Sequence, residues 1–247
     1  MKVTHGSLFS GIGGIDLGFE WAGIETKWQV EIDEYCQKLL SIRFPHTEKF
    51  TDVRKVGVHN LEKVDIISGG FPCQDISVAG KGAGIEGERS GLWTELHRVI
   101  SELRPRFAFI ENVPMLTIRG GVRVISDLAE IGYDAEWQIV GADDVGAWHR
   151  RKRIWIVAYL PNTDSSRRRE RWRPKPIQEK FDTSERSSKR TFSTYWSTEP
   201  DVGRVAHGIP KRVDRLKGIG NAVVPHIPYI IGKRLYELCQ ENQAEKH

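Results

Sequence analysis

Hydrophobic positions in this chain follow two rhythms, a strand-like one and a helix-like one, that take turns for about 160 residues. VTHGSLFS (3–10) alternates and ends in small residues, which predicts a first strand. IDLGFEWAG (15–23) reads as a short helix closed by Gly23. TKWQVE (26–31) predicts a second strand, and IDEYCQKLLSIRF (32–44) a helix stopped by Pro45. VDIISGG (64–70) is a short apolar run of the kind a buried parallel strand needs. GLWTELHRVISEL (91–103) is helical and ends before Pro105, and RFAFIENV (106–113) is another buried strand. GVRVISDLAEIGY (121–133) predicts a helix, DAEWQIVGADDVG (134–146) a strand and turn, and RKRIWIVAYL (151–160) a strand with a basic start.

Strand alternating with helix is the signature of an α/β fold with a doubly wound, mostly parallel sheet. Such sheets bind ligands at the carboxyl ends of their strands. SLFSGIGG, VEID, GGFPCQ and IENV all fall at predicted strand ends, so one crevice is expected to collect them. The rhythm breaks at Pro161. The text to about residue 215 is polar, basic and punctuated by proline, which predicts a small irregular insert. GIGNAVVPHIPYIIGKRLYELCQ (218–240) then reads as a turn followed by a helix starting near Pro225 or Pro228. The expected organisation is an α/β domain over 1–160, a short basic insert over 161–215, and a segment over 216–247 that returns to the first domain.

Composition narrows the class. A chain of 247 residues, 39% hydrophobic and 28% charged, fits one good-sized α/β domain with an insert. No apolar run approaches a membrane span, and MKVTHGSLFSGIGG lacks the form of a secretion signal, so a cytoplasmic protein is expected. The formal charge is +4, but residues 161–217 carry 15 Lys and Arg against 8 Asp and Glu. A near-neutral body with one basic segment predicts a polyanion partner; a solvated basic tract has the same composition. Three cysteines without metal-like spacing argue against a disulfide framework and a structural zinc site. Cys36 and Cys239 sit in helical text and read as small hydrophobes.

Cys73 is different. It follows Pro72 just beyond a predicted strand end, ahead of a run containing Gly80, Gly82, Gly84, Gly87 and Gly91. A thiolate that must meet a substrate suits such a place, and glycines let the next stretch close over it. Glu111 lies at the end of the neighbouring strand, where burial would turn its carboxyl into a proton donor. Arg151 and Arg153, two apart at a strand start, are expected on one face, able to bind a carbonyl oxygen or phosphate. The glycines of FSGIGG (9–14) free backbone N–H groups for a ligand. Glu31 is placed to accept from ribose hydroxyls and Asp52 from an adenine amine, so a nucleoside-bearing cofactor is expected. The spacing is not GxGxxG, which argues against a dinucleotide oxidoreductase.

In this order, FSGIGG, VEID, TDV, GGFPCQ, IENV, HRRKR and GIGNAVVP resemble the cytosine carbon-5 DNA methyltransferases, over residues 7 to about 158 and 216 to 238. The resemblance implies a Rossmann-like fold that uses S-adenosylmethionine. It makes Cys73 the nucleophile toward ring carbon 6 of a flipped cytosine, with Glu111 at ring nitrogen 3, Arg153 at the exocyclic oxygen and Arg151 in support. For the cofactor it implies Phe9, Gly11, Gly13, Glu31, Ile32, Asp52, Val53, Pro72, Asn221 and Val223. For nucleic acid it implies Gln74, Ser77 and Lys81, with Arg171 and Arg173 as candidates in the insert.

Departures are visible. His149 stands where the family has glutamine, Ile32 replaces an aromatic, and the recognition region is compact, as in phage enzymes. The expected partner is double-stranded DNA, with a monomeric protein and no membrane or metal. The expected role is DNA modification that protects against restriction. Two alternatives stay open: a cytosine carbon-5 methyltransferase acting on RNA, and a non-catalytic DNA-binding relative.

Overall fold

The first strand needs a partner on each side, and the chain supplies both. In the computed structural model, which describes residues 2–72, 91–147, 149–161 and 218–244, β1 (Thr4–Leu8) pairs in parallel with β2 (Glu25–Val30) and with β4 (Ile66–Gly69). β3 (Glu48–Phe50) extends the sheet beyond β2, and β5 (Phe107–Asn112) beyond β4, both parallel. β7 (Arg153–Tyr159) inserts antiparallel between β5 and β6 (Asp134–Val140). The sheet order is β3-β2-β1-β4-β5-β7-β6. It is the expected doubly wound, mostly parallel sheet, with its switch point between β1 and β4.

Two points differ from the sequence reading. β3 has only three residues, EKF, too few and too polar to show a period. β7 runs antiparallel, and a buried apolar run does not declare its direction.

Helices cover both faces. α3 (Gly91–Leu103) buries Trp93, Leu96, Ile100 and Leu103, spaced to make one helical stripe. With Val124 and Leu128 of α4 (Gly121–Glu130), these residues join the core formed by Leu8, Trp28, Ile67, Ile110 and Ile156. On the opposite face α1 (Gly14–Trp21) packs Phe19 edge-on to His5 and against Phe109, which stacks on Trp155. α2 (Glu34–Arg43) is capped by Asp33, whose side chain accepts from the N–H groups of Tyr35 and Cys36. An Arg43–Glu20 ion pair joins α2 to α1.

α5 (His226–Ala244) lies directly on α1. A side chain at Gly18 would place its Cβ 2.3 Å from the Pro225 carbonyl oxygen, so the absence of one lets the two helices meet backbone to backbone. The helix α5 is thereby fixed against the first helix.

One irregularity shapes the core. Pairing of β1 with β2 skips Lys27, since His5 opposes Thr26 and Gly6 opposes Trp28. This bulge turns Thr26 and Gln29 to the same face despite their odd spacing. Thr26 Oγ1 lies 2.9 Å from His5 Nδ1, and Gln29 Nε2 donates to Asp16 Oδ1 at 2.8 Å. A polar layer therefore runs beneath α1.

Candidate functional site

The parallel strands β2, β1, β4 and β5 end together, with Val30 beside Leu8, Leu8 beside Gly69 and Gly69 beside Ile110. Their continuations carry the expected site residues. After β1 the backbone turns through positive φ at Phe9 (54°), Gly11 (56°) and Gly13 (82°). Such a path suits glycine and strains phenylalanine. Glu31, just past β2, holds this loop: its Oε2 accepts from the Gly11 N–H at 2.6 Å and its Oε1 from the Asp33 N–H at 2.8 Å. Ser10 N–H donates to the Val30 carbonyl at 3.2 Å. The loop and the acid meant for a ribose thus form one unit.

The other residues expected at a nucleoside lie on the continuations of β2, β3 and β4 and in the segment over 218–223. Among the described residues nothing stands within 4 Å of where a Gly11 side chain would be, so the loop leaves room beside its backbone. Ile32, next to Glu31, is an apolar side chain left 67% exposed, a surface that a flat ring would cover. Asp52 caps a 3₁₀ turn over Val53–Lys55 and is gripped by Arg54, Nε to Oδ1 at 2.9 Å and Nη2 to Oδ2 at 3.1 Å. That ion pair holds the Asp52 carboxyl below the usual range. Val53 is buried and Pro72 half-buried. Val223 lies against the first turn of α1, since a Gly14 Cβ would stand 2.8 Å from its carbonyl oxygen. Asn221 is exposed at the end of a helical turn over 218–221.

At the end of β5, Glu111 is buried and its Oε1 lies 2.8 Å from Arg153 Nε. Burial raises its carboxyl to about 7, outweighing the opposing pull of Arg153 and Arg151. A carboxyl balanced near neutrality can hold or give a proton at working pH. Glu111 Oε2 also faces the strand leading to Cys73: a Cβ on Gly70 would come within 2.8 Å of it. Asn112 Nδ2 donates to the Phe71 carbonyl at 3.2 Å, and Phe71 packs on Trp93. The backbone two residues before Cys73 is therefore fixed from two sides.

The two arginines part company. β7 begins at Arg153, and Arg151 precedes it with φ 25°, so strand alternation does not put them on a common face. Arg151 instead donates to the carbonyls of Gly220, at 2.6 Å, and Ala222. It ties the start of β7 to the 218–222 segment. Burial, followed by Arg153, lowers its guanidinium pKa.

Cys73, Gln74, Ser77, Lys81, Arg171 and Arg173 lie outside the described residues. Sequence reasoning missed Gly70 and Asn112, although both stand inside the motifs GGFPCQ and IENV. It also missed Asp16, buried beneath the loop, which accepts from Ser7 Oγ at 3.2 Å and from Gln29. Its one signal was an acid on the buried stripe of a helix, with Ile15 and Phe19. Among the described residues no cluster of side chains could hold a metal. No helix there is long and apolar enough to cross a membrane.

Sheet order, the antiparallel β7 and the loop after β1 held by Glu31 define a Rossmann-like methyltransferase fold. The family model for C-5 cytosine-specific DNA methylase matches residues 3–206, and the chain belongs to that family. It is 39% identical over 168 residues to the type II methyltransferase M2.BsuMI of Bacillus subtilis (strain 168), covering 65% of this chain and 42% of the relative. It is 34% identical over 159 residues to the type II methyltransferase M.NgoBI of Neisseria gonorrhoeae, covering 63% and 50%. The chain thus spans about half the length of the curated relatives it matches. A crystal structure of a DNA modification methyltransferase encoded within an E. coli prophage superposes with a TM-score of 0.56 at 30% identity, covering 64% of this chain and 47% of that one.

Proposed function

We propose that this chain is a DNA (cytosine-5-)-methyltransferase that transfers a methyl group from S-adenosylmethionine to carbon 5 of a flipped cytosine in duplex DNA. The observation that carries the reading is the pairing of the buried Glu111 with Arg153, beside Gly70 on the segment that leads from β4 toward Cys73. Family membership supports it.

Cytosine carbon 5 is a weak nucleophile. The Cys73 thiolate adds to ring carbon 6, forming a carbon–sulfur bond and pushing electrons toward the ring. Glu111 gives its proton to ring nitrogen 3 as that charge builds. Arg153, fixed by Glu111, faces the exocyclic oxygen. S-adenosylmethionine, when bound, supplies an electrophilic methyl group. Phe9, Gly11, Gly13, Glu31 and Ile32 hold its ribose and adenine, with Asp52 and Val53 at the ring edge and Pro72, Asn221 and Val223 closing the pocket. Loss of the carbon-5 proton, return of the nitrogen-3 proton to Glu111 and expulsion of the Cys73 thiolate restore the aromatic ring. Arg151 acts by fixing the carbonyls of Gly220 and Ala222.

The base is inaccessible inside a duplex and must be flipped out, at a cost of a few kcal/mol. Gln74, Ser77 and Lys81 contact the nucleic acid near the flipped base. Arg171 and Arg173, in the short region over 161–215, contact or stack on bases, while phosphate contacts from the arginines of that region give salt-dependent affinity without a sequence code. The enzyme works as a monomer in the cytoplasm of a bacterial or phage-infected cell and protects DNA against restriction.

The test is transfer of labelled methyl groups from S-adenosylmethionine into duplex DNA and into transfer RNA, with Cys73→Ser as control. Label in DNA that disappears in the variant is expected. Label only in RNA would overturn the DNA assignment. Label that persists in the variant would overturn the covalent mechanism, and tight DNA binding without label would identify a non-catalytic relative.

A further inference from the structure

The adenine side of the proposed pocket is a short loop braced within itself by Asn60, whose Oδ1 accepts from the Gly57 N–H at 2.9 Å and whose Nδ2 donates to the Lys55 carbonyl at 3.1 Å. It leaves β3 at Phe50, makes the 3₁₀ turn over Val53–Lys55 and returns through Gly57. Asp52 is engaged by Arg54, its own neighbour, which cannot fix the loop to the rest of the protein. The fixing comes from α3. Arg98 Nη2 donates to the Val53 carbonyl and to the Val56 carbonyl, both at 3.0 Å.

The same guanidinium is held from behind by two acids one turn away on either side. Nε donates to Glu95 Oε2 at 2.9 Å and Nη1 to Glu102 Oε1 at 2.8 Å. Glu102 then reaches the loop itself, accepting from the Val58 N–H at 3.1 Å. A Cβ on Gly57 would stand 2.3 Å from Glu102 Oε2, so glycine is what lets the carboxylate approach. Both ends of the loop are thus fastened to one helix, and Val53 and Val56 are pressed into the core between them.

We propose that Arg98 is a positioning residue for the adenine end of the cofactor pocket, acting through the backbone of residues 53–56. The proposal rests on the cofactor assignment above. Arg98 touches no ligand. It sets the place of Asp52 and Val53 by giving a charged donor to the Val56 carbonyl and to the Val53 carbonyl, which within the turn meets only the Val56 N–H at 3.4 Å. A planar guanidinium can serve both carbonyls and both acids at once, and a lysine cannot.

The test is calorimetric binding of S-adenosylhomocysteine to the full chain and to Arg98→Gln, Arg98→Lys and Glu102→Gln. Cofactor KM and kcat are measured alongside. The expected result is a Kd and a cofactor KM raised about tenfold in Arg98→Gln, from the loss of charge-assisted bonds. kcat at saturating cofactor is retained, and Arg98→Lys falls between. Should Arg98→Gln fail to fold, Arg98→Lys and Glu102→Gln carry the same comparison. Wild-type Kd and KM in the folded variants, or a fall in kcat with KM unmoved, would overturn the positioning role and leave the cofactor assignment standing. Failure of the unaltered protein to bind S-adenosylhomocysteine would overturn the assignment itself.

Discussion

Glu111 and Arg153 meet across an antiparallel ladder, Oε1 to Nε at 2.8 Å, from neighbouring strands that run in opposite directions. Glu111 pairs with Trp155, so Arg153 is its diagonal neighbour on the same face. The antiparallel β7 is what makes this possible: it returns its first residue to the carboxyl end of β5. A parallel strand there would present its last residue instead.

This pair sets the first prediction. Glu111 must carry a proton to give one, and burial pushes its carboxyl up to about 7. The methylation rate is therefore expected to fall as pH rises through that value. Glu111→Gln removes the proton donor while keeping the shape, and loses roughly 100- to 10,000-fold in kcat. Rates measured from pH 6 to 9 check both points; a variant of near wild-type rate would remove Glu111 from the chemistry.

Gly70 and Asn112 define a second prediction. Gly70→Ala puts a methyl group 2.8 Å from Glu111 Oε2, and the carboxylate must move. Asn112→Ala frees the Phe71 carbonyl that leads toward Cys73. Displacement of reacting groups by about 1 Å can cost on the order of 100-fold in rate. Both variants are expected to lose kcat by about that factor while thermal unfolding shifts little. A large fall in Tm with kcat retained would make these residues structural.

How much of this arrangement the sequence discloses depends on how local its cause is. The Gly-rich loop, the strand ends and the α5 start are each set by neighbouring residues, and they read correctly. β3 escapes because three residues carry no period. Arg151 escapes because its partners, Gly220 and Ala222, lie about seventy residues onward. Asp16 and His5 escape because only the bulge at Lys27 brings Gln29 and Thr26 to them.

Those two buried groups give a third prediction, with opposite signs. Burial raises Asp16 from 3.8 to about 6, so between those values the folded state binds more protons than the unfolded one. The contribution of Asp16 is full below about 4 and lost as pH rises through about 6. Burial lowers His5 from 6.5 to about 3, and its contribution is present above 6.5 and lost as pH falls toward 3. Asp16→Asn, which can still bond Ser7 and Gln29, is expected to remove the first dependence, worth about 2–3 kcal/mol. His5→Gln removes the second. Denaturant midpoints of the three proteins from pH 4 to 8 measure this; parallel curves would show that neither group titrates with folding.

The last prediction concerns the joint between α1 and α5. Gly18 faces the Pro225 carbonyl at 2.3 Å from a would-be Cβ, and Gly232 faces the Phe19 ring at 2.9 Å. The ring can turn, but the carbonyl oxygen is backbone and cannot yield without moving the helix. Gly18→Ala should therefore cost more than Gly232→Ala, even though alanine favours helix at both positions. Overpacking of this kind costs about 1–3 kcal/mol, which lowers Tm by roughly 2–4 °C per kcal/mol in a chain of this size. The displacement has a functional direction as well. Pro225 is two residues beyond Val223, which lies against Gly14 in the first turn of α1. Gly18→Ala is thus expected to weaken S-adenosylhomocysteine binding along with stability, whereas Gly232→Ala leaves binding intact. Equal effects of the two on binding would mean that the 218–223 segment holds its place without α5.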